Sequence, residues 1–225
     1  MIEFNNEQRL LLEKLSAFML EYNKKVNLTA IKEPAHIWEK HFVDSVLPLE
    51  LLSGHVPRGT SVIDVGTGAG FPGVVWKIYR PDLELTLLDS LRKRVNYLEL
   101  LRDELGLECR AIHGRSEELA LKPDYREKFG VAVSRAVANL PALCEFCLPF
   151  VKVGGLFLAM KGAEISEEFK ASDSALRALG GEVEEIKSYE LPSGDKRNLA
   201  VIRKVRGTPA NLPRQRVNIT KNPLT

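Results

Sequence analysis

A glycine-rich turn is the feature of this sequence with the clearest chemical potential. It joins an apolar run at residues 62–65, which predicts a buried strand, to a helix-like run at residues 74–79. Gly66, Gly68 and Gly70 let the backbone bend sharply and approach a ligand without an intervening Cβ. Strand, glycine turn and helix in this order form the first unit of a nucleotide-binding α/β sheet. We therefore predict that these three glycines contact a nucleotide-like cofactor.

The glycine spacing and a neighbouring acid indicate which cofactor fits. The dinucleotide fingerprint requires G-x-G-x-x-G, so that a phosphate lies on the helix N-terminus, whereas these glycines are spaced G-x-G-x-G. Asp64 precedes the turn, and a carboxylate there disfavours a pyrophosphate but suits the sulfonium and amino groups of S-adenosylmethionine. The turn alone would also suit a plain strand-to-helix connection. The pattern favours S-adenosylmethionine and opposes a nicotinamide-dependent dehydrogenase.

A second acid, Asp89, follows the predicted strand at residues 84–88 and lies about 20 residues beyond the glycines. At the carboxyl end of that strand, a carboxylate can accept both ribose hydroxyls of an adenosine ligand. Asp89 would also suit the N-cap of the helix predicted from Leu91, but Ser90 fills that role equally well. We therefore expect Ser90 to cap the helix and Asp89 to be free for the ligand.

Polar and basic residues follow the other predicted strands. Because the carboxyl ends of parallel strands share one edge of a sheet, we expect these side chains to converge there. In chain order they are Arg115, Ser116 and Glu117 after strand three, Arg135 after strand four, Lys161 after strand five, and Lys196 and Arg197 at the tip of a final hairpin. Solvated surface charges are the alternative, but repeated basic residues at ligand-side strand ends favour a nucleic acid substrate.

Alternating strands and helices must position these residues. Strands are predicted at 62–65, 84–88, 110–113, 131–134, 156–160, 182–191 and 199–203, and helices at 6–22, from Pro34, and at 71–79, 91–105, 141–150 and 164–179. This alternation predicts an α/β fold, a seven-stranded, mostly parallel sheet with helices on both faces. We expect a helical N-terminal extension at 1–55, the core at 56–205 and a basic tail at 206–225.

Composition sets the class and the compartment. A chain of 225 residues with 44% hydrophobic and 28% charged content suits one medium domain with a real core. It lacks a run of about 18 apolar residues and does not begin like a signal peptide, so no membrane span or secretion is expected. Three widely spaced cysteines argue against a disulfide framework. We expect a cytoplasmic monomer without membrane contact.

The distribution of charge is more informative than its sum. The net charge is only +2, yet no acidic residue follows Asp195. The basic residues of that final stretch are Lys196, Arg197, Arg203, Lys204, Arg206, Arg214, Arg216 and Lys221. A basic end on a nearly neutral protein predicts contacts with phosphate, and a solvated tail is the alternative.

Other residue types that could do chemistry have simpler interpretations. His41 and Asp44 lie three apart on one predicted helical face, where a metal or general-base role is possible but orientation of a neighbouring loop is more common. Cys109, Cys144 and Cys147 occur in apolar surroundings and are interpreted as core residues. They lack further ligands for zinc, so no metal site is predicted.

The same residues weigh against two other methylation chemistries. A 5-methylcytosine enzyme needs an attacking thiolate, which core cysteines do not supply. Amino-group methylation uses an Asn/Asp-Pro-Pro-aromatic turn after strand four, where this chain has Ser134-Arg135-Ala136.

Several motifs in combination resemble the glucose-inhibited division protein B family, bacterial small-subunit ribosomal RNA guanine-N7 methyltransferases, almost end to end. The matching segments are 27–31 (NLTAI), 41–45 (HFVDS), 64–73 (DVGTGAGFPG), 88–90 (LDS), 93–94 (KR), 114–117 (GRSE), 134–136 (SRA) and 160–162 (MKG). The tail keeps the outline of the family ending in Pro213-Arg214 and in 221–224 (KNPL), although the segment between them departs from it.

The resemblance implies a class I, Rossmann-like methyltransferase fold with S-adenosylmethionine as donor and N7 of one guanine in 16S ribosomal RNA of the small subunit as acceptor. It implies that Gly66 and Phe71 line the methionine side, that Ser116 and Glu117 meet the adenosine, and that Arg135 flanks the cofactor pocket.

Attack by guanine N7 requires no general base, so alignment is the main catalytic task. Arg135, Lys161 and Arg197 are the candidate catalytic residues, as hydrogen-bond donors to guanine O6 or to nearby phosphates. A non-catalytic RNA-binding or ribosome-assembly factor that keeps the fold remains the alternative function.

Overall fold

Seven strands form one mixed sheet in the order β3-β2-β1-β4-β5-β7-β6. The structure is a computed structural model that describes residues 2–52 and 54–224; Met1, Ser53 and Thr225, which belong to the predicted extension and tail, lie outside the described residues. The strands are β1 Ser61–Val65, β2 Glu84–Asp89, β3 Cys109–His113, β4 Phe129–Arg135, β5 Val151–Lys161, β6 Gly181–Glu190 and β7 Lys196–Lys204.

Helices cover both faces of this sheet. They are α1 Asn6–Tyr22, α2 Pro34–Ile37, α3 Asp44–Leu51, α4 Gly73–Tyr79, α5 Arg92–Leu105, α6 Ser116–Leu119, α7 Leu140–Cys147, α8 Ser166–Ala171, α9 Asp173–Leu179 and α10 Arg216–Lys221. A π-helical turn, Trp38–Val43, joins α2 to α3. Successive side chains of β1 point to opposite faces of the sheet. Val62 belongs to one apolar cluster and Ile63 to the other. The predicted α/β class with a seven-stranded, mostly parallel sheet is confirmed.

Parallel pairing brings the carboxyl ends of the central strands to one edge. Asp64 lies level with Leu87 of β2 and with Val133 of β4, so these three strands end side by side. β1 lies between β2 and β4, which makes it the point where the strand order reverses. β7 pairs antiparallel with both β5 and β6, and the predicted hairpin at residues 192–195 closes with a hydrogen bond from the Leu191 amide to the Asp195 carbonyl at 3.0 Å.

The N-terminal helices pack on the sheet as part of its first apolar cluster. Asn5 and Gln8 form a reciprocal capping box that starts α1, as predicted for an Asn cap. The same cluster contains Leu12, Leu15 and residues of β1 and β4. The indole of Trp76 on α4 donates to the Ser45 carbonyl of α3 at 2.6 Å. Helix α4 of the core therefore holds α3, the last helix of the N-terminal extension, in place on the sheet.

Two predicted helices differ from those observed. The helix expected over 164–179 is interrupted at Ser172, whose hydroxyl donates to the Phe169 carbonyl at 2.7 Å and competes with the helical backbone bond. The helix expected over 141–150 ends at Cys147 and continues as a 3₁₀ turn, Leu148–Phe150, because Pro149 has no amide hydrogen. In the described residues no helix is long and apolar enough to cross a membrane.

Candidate active site

A cavity of about 710 Å³ opens at the edge where the central strands end. Its wall includes the glycine turn after β1, Asp89 after β2, Ser116 after β3, Arg135 after β4 and Lys161 after β5. Sites for small organic ligands commonly have volumes of roughly 300–1,000 Å³. Of the strand-end residues predicted to converge, Ser116, Arg135, Lys161 and Arg197 line this cavity, whereas Arg115, Glu117 and Lys196 do not.

The three glycines of the turn have different surroundings. Their φ angles are +75° at Gly66, +63° at Gly68 and +98° at Gly70, a region that other residues rarely adopt. A Cβ on Gly66 would lie 2.6 Å from a methyl group of Val137, and a Cβ on Gly68 would meet only the Gly66 carbonyl oxygen, at 4.0 Å. Both glycines line the cavity. Gly70 lies behind its wall, where a Cβ would meet Val74 at 2.6 Å, so ligand contact by Gly70 stays a prediction.

Asp64 shapes the turn from behind and does not line the cavity. Its Oδ2 accepts from the Thr67 hydroxyl at 2.7 Å and from the Gly73 amide at 2.8 Å. The side chain is fully buried, and this burial raises its pKa to about 6 despite the two hydrogen bonds. The interpretation of Asp64 as an acid beside the ligand was therefore wrong in position, because its carboxylate fixes the backbone that carries the glycines.

Asp89 lines the cavity and also holds the backbone on both sides of it. Its Oδ2 accepts from the Gly68 amide at 3.0 Å, and its Oδ1 accepts from the Leu91 amide at 2.8 Å. The expectation that Ser90 caps α5 and leaves Asp89 free was wrong, since Asp89 itself takes the amide at the helix start. Each carboxylate oxygen has two acceptor positions, so capacity for a ligand hydroxyl remains.

Ser116 and Glu117 begin α6 with different exposure to the cavity. Ser116 lines it, whereas Glu117 is buried next to it, with its Oε2 accepting from the Ser116 hydroxyl at 3.3 Å. Oε1 of Glu117 is buried and has no hydrogen-bond partner among the residues that the structure describes. Buried carboxylate oxygens are normally paired, so this atom calls for a donor from outside the chain.

Four side chains on distant elements meet at the opposite wall and are termed the Asp44 cluster: Asp44, Arg135, Tyr189 and Arg197. Asp44 is 4% exposed; its Oδ2 accepts from Arg135 Nη1 at 2.9 Å and its Oδ1 from the Tyr189 hydroxyl at 3.1 Å. Nε of Arg197 lies 3.6 Å from the same Oδ1. The N-terminal extension therefore supplies the carboxylate that orients two of the predicted catalytic arginines.

Phe71, predicted to line the methionine side, lies between a histidine and an arginine. The His41 ring stacks on it with centroids 4.4 Å apart, and the Arg135 guanidinium lies 5.4 Å from its centroid. His41 Nε2 lies 3.0 Å from the Thr29 hydroxyl, so His41 holds the loop at residues 27–31. Among the described residues no group of three or more His, Cys, Asp or Glu could hold a metal ion.

The proton affinity of His41 gives a pH prediction. Burial, followed by the charge of Arg135, lowers its pKa from 6.5 to about 4. Between pH 6.5 and 4, His41 is therefore protonated in the unfolded chain but neutral in the folded protein. The contribution of His41 to the free energy of unfolding is lost as pH falls from 6.5 towards 4. We expect wild type to lose about 2 kcal/mol more than His41→Gln between pH 7 and 4.5 in urea unfolding.

The comparison between the two proteins is needed because Asp64 acts with the opposite sign. Its raised pKa means that the folded protein takes up a proton before the unfolded chain does, so Asp64 favours folding as pH falls from 6 towards 4. Asp64 contributes to both proteins and cancels in their difference. Parallel pH profiles for wild type and His41→Gln would contradict the burial argument for His41.

Lys161 ties the strand ends to the loop after β4. Its Nζ forms an ion pair with Glu168 Oε2 at 2.6 Å and donates to the Ala138 carbonyl at 3.0 Å. The same Glu168 oxygen accepts from the Leu140 amide at 2.8 Å, so one carboxylate contacts both Lys161 and the first residue of α7. Lys161 therefore lines the cavity as a partly neutralised cation.

Two of the three predicted core cysteines are buried, and Cys109 is only partly buried and packs against the first apolar cluster. Cys144 and Cys147 are fully buried on α7, and burial raises the pKa of both thiols well above the ordinary value. Neither thiol lines the cavity. Their positions do not suit the nucleophile of a 5-methylcytosine enzyme.

Sequence comparison identifies the family of the chain that forms this cavity. Residues 8–200 match the family described as rRNA small subunit methyltransferase G. The ribosomal RNA small subunit methyltransferase G of Clostridium novyi (strain NT) is 46% identical over 225 residues, which cover 99% of this chain and 92% of the relative. The protein of that name from Acetivibrio thermocellus is 49% identical over 207 residues, covering 91% and 84%. The chain belongs to this family.

Solved structures of lower identity share the fold of this rRNA methyltransferase family member. A protein from Listeria monocytogenes assigned to the class I S-adenosylmethionine-dependent methyltransferases superposes with a TM-score of 0.62 at 13% identity, over 91% of this chain and 72% of the other. MtNAS in complex with MTA and tNA gives a TM-score of 0.59 at 15% identity, over 88% and 71%. At these identities the likeness concerns the fold alone.

Sequence reasoning missed several cavity residues of this rRNA methyltransferase family member. Lys40, Phe146, Tyr189 and Arg216 line the cavity but carry no motif of their own, and Arg94 was noted only within the family motif at 93–94. Asp44 was noted only as a neighbour of His41, because its partners are far away in the chain. The one available signal was its place in the family motif HFVDS at 41–45.

Proposed function

We propose that this protein transfers a methyl group from S-adenosylmethionine to N7 of a guanine in 16S ribosomal RNA of the small subunit. The observation that carries the proposal is the cavity formed by the glycine turn, Asp89 and the Asp44 cluster in a chain of the rRNA small subunit methyltransferase G family. We place the reaction in the cytoplasm, where ribosomal subunits are assembled. The monomeric state and the domain limits at 55 and 205 stay predictions.

The residues present suit S-adenosylmethionine. A Cβ at Gly68 would meet only the Gly66 carbonyl oxygen, at 4.0 Å, so the backbone there admits a ligand at close range. Asp89 Oδ2 accepts from the Gly68 amide and from Arg94 Nη1 at 3.5 Å, so Oδ1 keeps one acceptor position for a ribose hydroxyl. Oε1 of Glu117 would accept from the exocyclic amino group of adenine. Gly66 and Phe71 would then border the methionine part. When bound, this cofactor supplies an activated methyl group whose departure leaves a neutral thioether.

The residues of the cavity match a reaction that needs alignment more than proton transfer. N7 of guanine has an in-plane lone pair and no proton to lose, so proximity and orientation supply most of the acceleration. The pKa of His41, lowered to about 4, makes this residue a poor base at neutral pH. The chain therefore has to hold the base in line with the methyl group and exclude water.

Arg135, Lys161 and Arg197 are proposed to hold the guanine or its neighbouring phosphates. All three hydrogen bonds of Arg135 within the protein use Nη1, which leaves Nη2 and Nε to donate. The carbonyl O6 and the phosphate oxygens of a guanine nucleotide are the acceptors that such donors recognise. A non-catalytic RNA-binding factor would not need the residues described above as suited to bind S-adenosylmethionine.

Transfer of a tritiated methyl group from S-adenosylmethionine to small ribosomal subunits tests the proposal. We expect stable label in 16S RNA, and chain cleavage with borohydride and aniline to map it to one N7-methylguanine. Naked 16S RNA and assembled subunits should be compared as substrates. RNA binding without binding of S-adenosylmethionine in calorimetry would overturn the cofactor assignment and support the non-catalytic alternative, whereas binding of S-adenosylmethionine without transfer to either substrate would overturn the proposed acceptor.

A further inference from the structure

The basic C-terminal stretch is largely neutralised inside the protein. Arg203 pairs with Glu184 at 2.6 Å, buried Lys204 with Glu127 at 3.4 Å, and Arg214 with Glu145 at 2.8 Å. The guanidinium of Arg206 donates to a backbone carbonyl of α9. The sequence-based expectation of a uniformly basic tail therefore does not describe the surface, and the charge that remains free is confined to fewer side chains.

The C-terminal segment, residues 206–224, is docked on the core. The guanidinium of Arg126 donates to three of its carbonyls, those of Thr208 at 2.7 Å, Pro209 at 2.9 Å and Leu212 at 2.9 Å. Leu212 and Ile219 are buried in the second apolar cluster together with α7. Polar and apolar contacts thus give this segment a defined path along α7.

A buried ion pair sets the position at which the C-terminal segment passes the cavity. Glu145 on α7 is fully buried, and its two oxygens accept from the Arg214 backbone amide at 2.7 Å, from Nε at 3.0 Å and from Nη2 at 2.8 Å. A bidentate pair of this kind fixes both position and direction. The next helix, α10, begins two residues later at Arg216.

Arg216 brings an unpaired positive charge to the cavity. Its guanidinium lies 5.7 Å from the centroid of Phe146, and the residue lines the cavity. Five other cations line the cavity, and each has a carboxylate within 4 Å: Lys40, Arg94, Arg135, Lys161 and Arg197. Across residues 2–52 and 54–224, no carboxylate pairs with Arg216.

We propose that Arg216 binds a phosphate of the substrate RNA close to the target guanine, and that the Glu145–Arg214 ion pair positions it there. The inference rests on the proposed function, since it assigns a contact of the RNA at the same cavity. An arginine stacked on an aromatic ring keeps its N–H groups directed outward and matches a phosphate with two parallel hydrogen bonds. The C-terminal segment would accordingly form part of the substrate site.

Arg216→Gln, with Arg58→Gln as the matched control, tests this contact. Arg58 is exposed in the loop before β1 and does not line the cavity. We expect Arg216→Gln to raise KM for the ribosomal substrate about 10-fold with kcat and the Kd of S-adenosylhomocysteine unchanged. The slope of log K against log salt for RNA binding should fall by about 0.7–0.9, the value for one lost phosphate contact. Arg216→Glu should weaken RNA binding further.

The outcomes separate this inference from the proposed function. Equal KM and salt slope in Arg216→Gln, Arg58→Gln and wild type would overturn the contact while leaving methyl transfer established. A wild type that binds small-subunit RNA but does not methylate it would overturn the function, whereas a reduced salt slope in Arg216→Gln would still support the contact. A loss of kcat alone would also overturn it, because a phosphate contact acts on binding.

Discussion

Asp89→Asn is expected to weaken binding of S-adenosylhomocysteine by about 100-fold. The wild-type carboxylate accepts from the amides of Gly68 and Leu91 at 3.0 and 2.8 Å, so each oxygen faces an N–H donor. An asparagine places its NH₂ group against one of these donors and loses the charge that strengthens ribose hydrogen bonds. Weakening of the charge-assisted bond to the ribose and mismatch with one of the two backbone amides, at roughly 1.5 kcal/mol each, correspond to about two orders of magnitude in Kd.

Calorimetry on purified Asp89→Asn measures this effect, with urea unfolding as a check on folding. Asp103→Asn is the control, because Asp103 is exposed and pairs only with Arg102 on α5. A Kd within threefold of wild type for Asp89→Asn would show that Asp89 holds the turn without contacting the donor. It would move the ribose site away from the end of β2.

Arg135→Met is expected to lower the free energy of unfolding by about 3 kcal/mol and methyl transfer by at least about 100-fold. The stability loss follows from Asp44, which would stay buried with only the longer Arg197 contact at 3.6 Å after losing the Arg135 ion pair at 2.9 Å. The activity loss follows from the proposed donation by Arg135 to the guanine. Methionine fills a similar volume, so the effect of an empty space is small.

The double variant Asp44→Asn/Arg135→Met separates the two losses. An uncharged amide no longer needs the guanidinium, so we expect the double variant to regain most of the lost stability in urea unfolding. Its single-turnover rate should stay low, because the donor to the guanine is still missing. Arg203→Met, which breaks an exposed pair with Glu184, is the control and should change stability by less than about 1 kcal/mol. If the double variant regained activity as well, Arg135 would have only a structural role.

The elements that the sequence predicted well are those with a strong local signal. Helix α5 was expected over 91–105 and spans Arg92–Leu105, because its apolar residues repeat at helical spacing and Gly106 ends it in a left-handed conformation. Helix α10 was missed, because a six-residue helix with Ile219 as its single buried side chain has too little periodicity to recognise. The two helices differ in the length over which apolar residues repeat, and only the longer repeat can be recognised in the sequence.

The residues of the cavity wall also differ in how well the sequence predicted their positions. Gly66, Gly68, Asp89 and Ser116 follow their own strands directly, so the rule that ligands bind at strand ends was enough to place them. Asp44 could not be placed by this rule, since Arg135 lies 91 positions further along the chain and Tyr189 lies 145 positions further. No repeat or spacing relates residues so far apart.

The α/β class, the polar residues at the strand ends and the family could be predicted from the chain alone, because periodicity, glycine spacing and motifs are local properties. The pairing of charges could not, since it depends on the fold: Asp64 lies behind the turn, Asp44 lies between two arginines, Glu145 pairs with Arg214, and no described carboxylate pairs with Arg216. An ion pair depends on a few ångströms of separation and on burial. Both are set by the packing of elements that are remote in sequence.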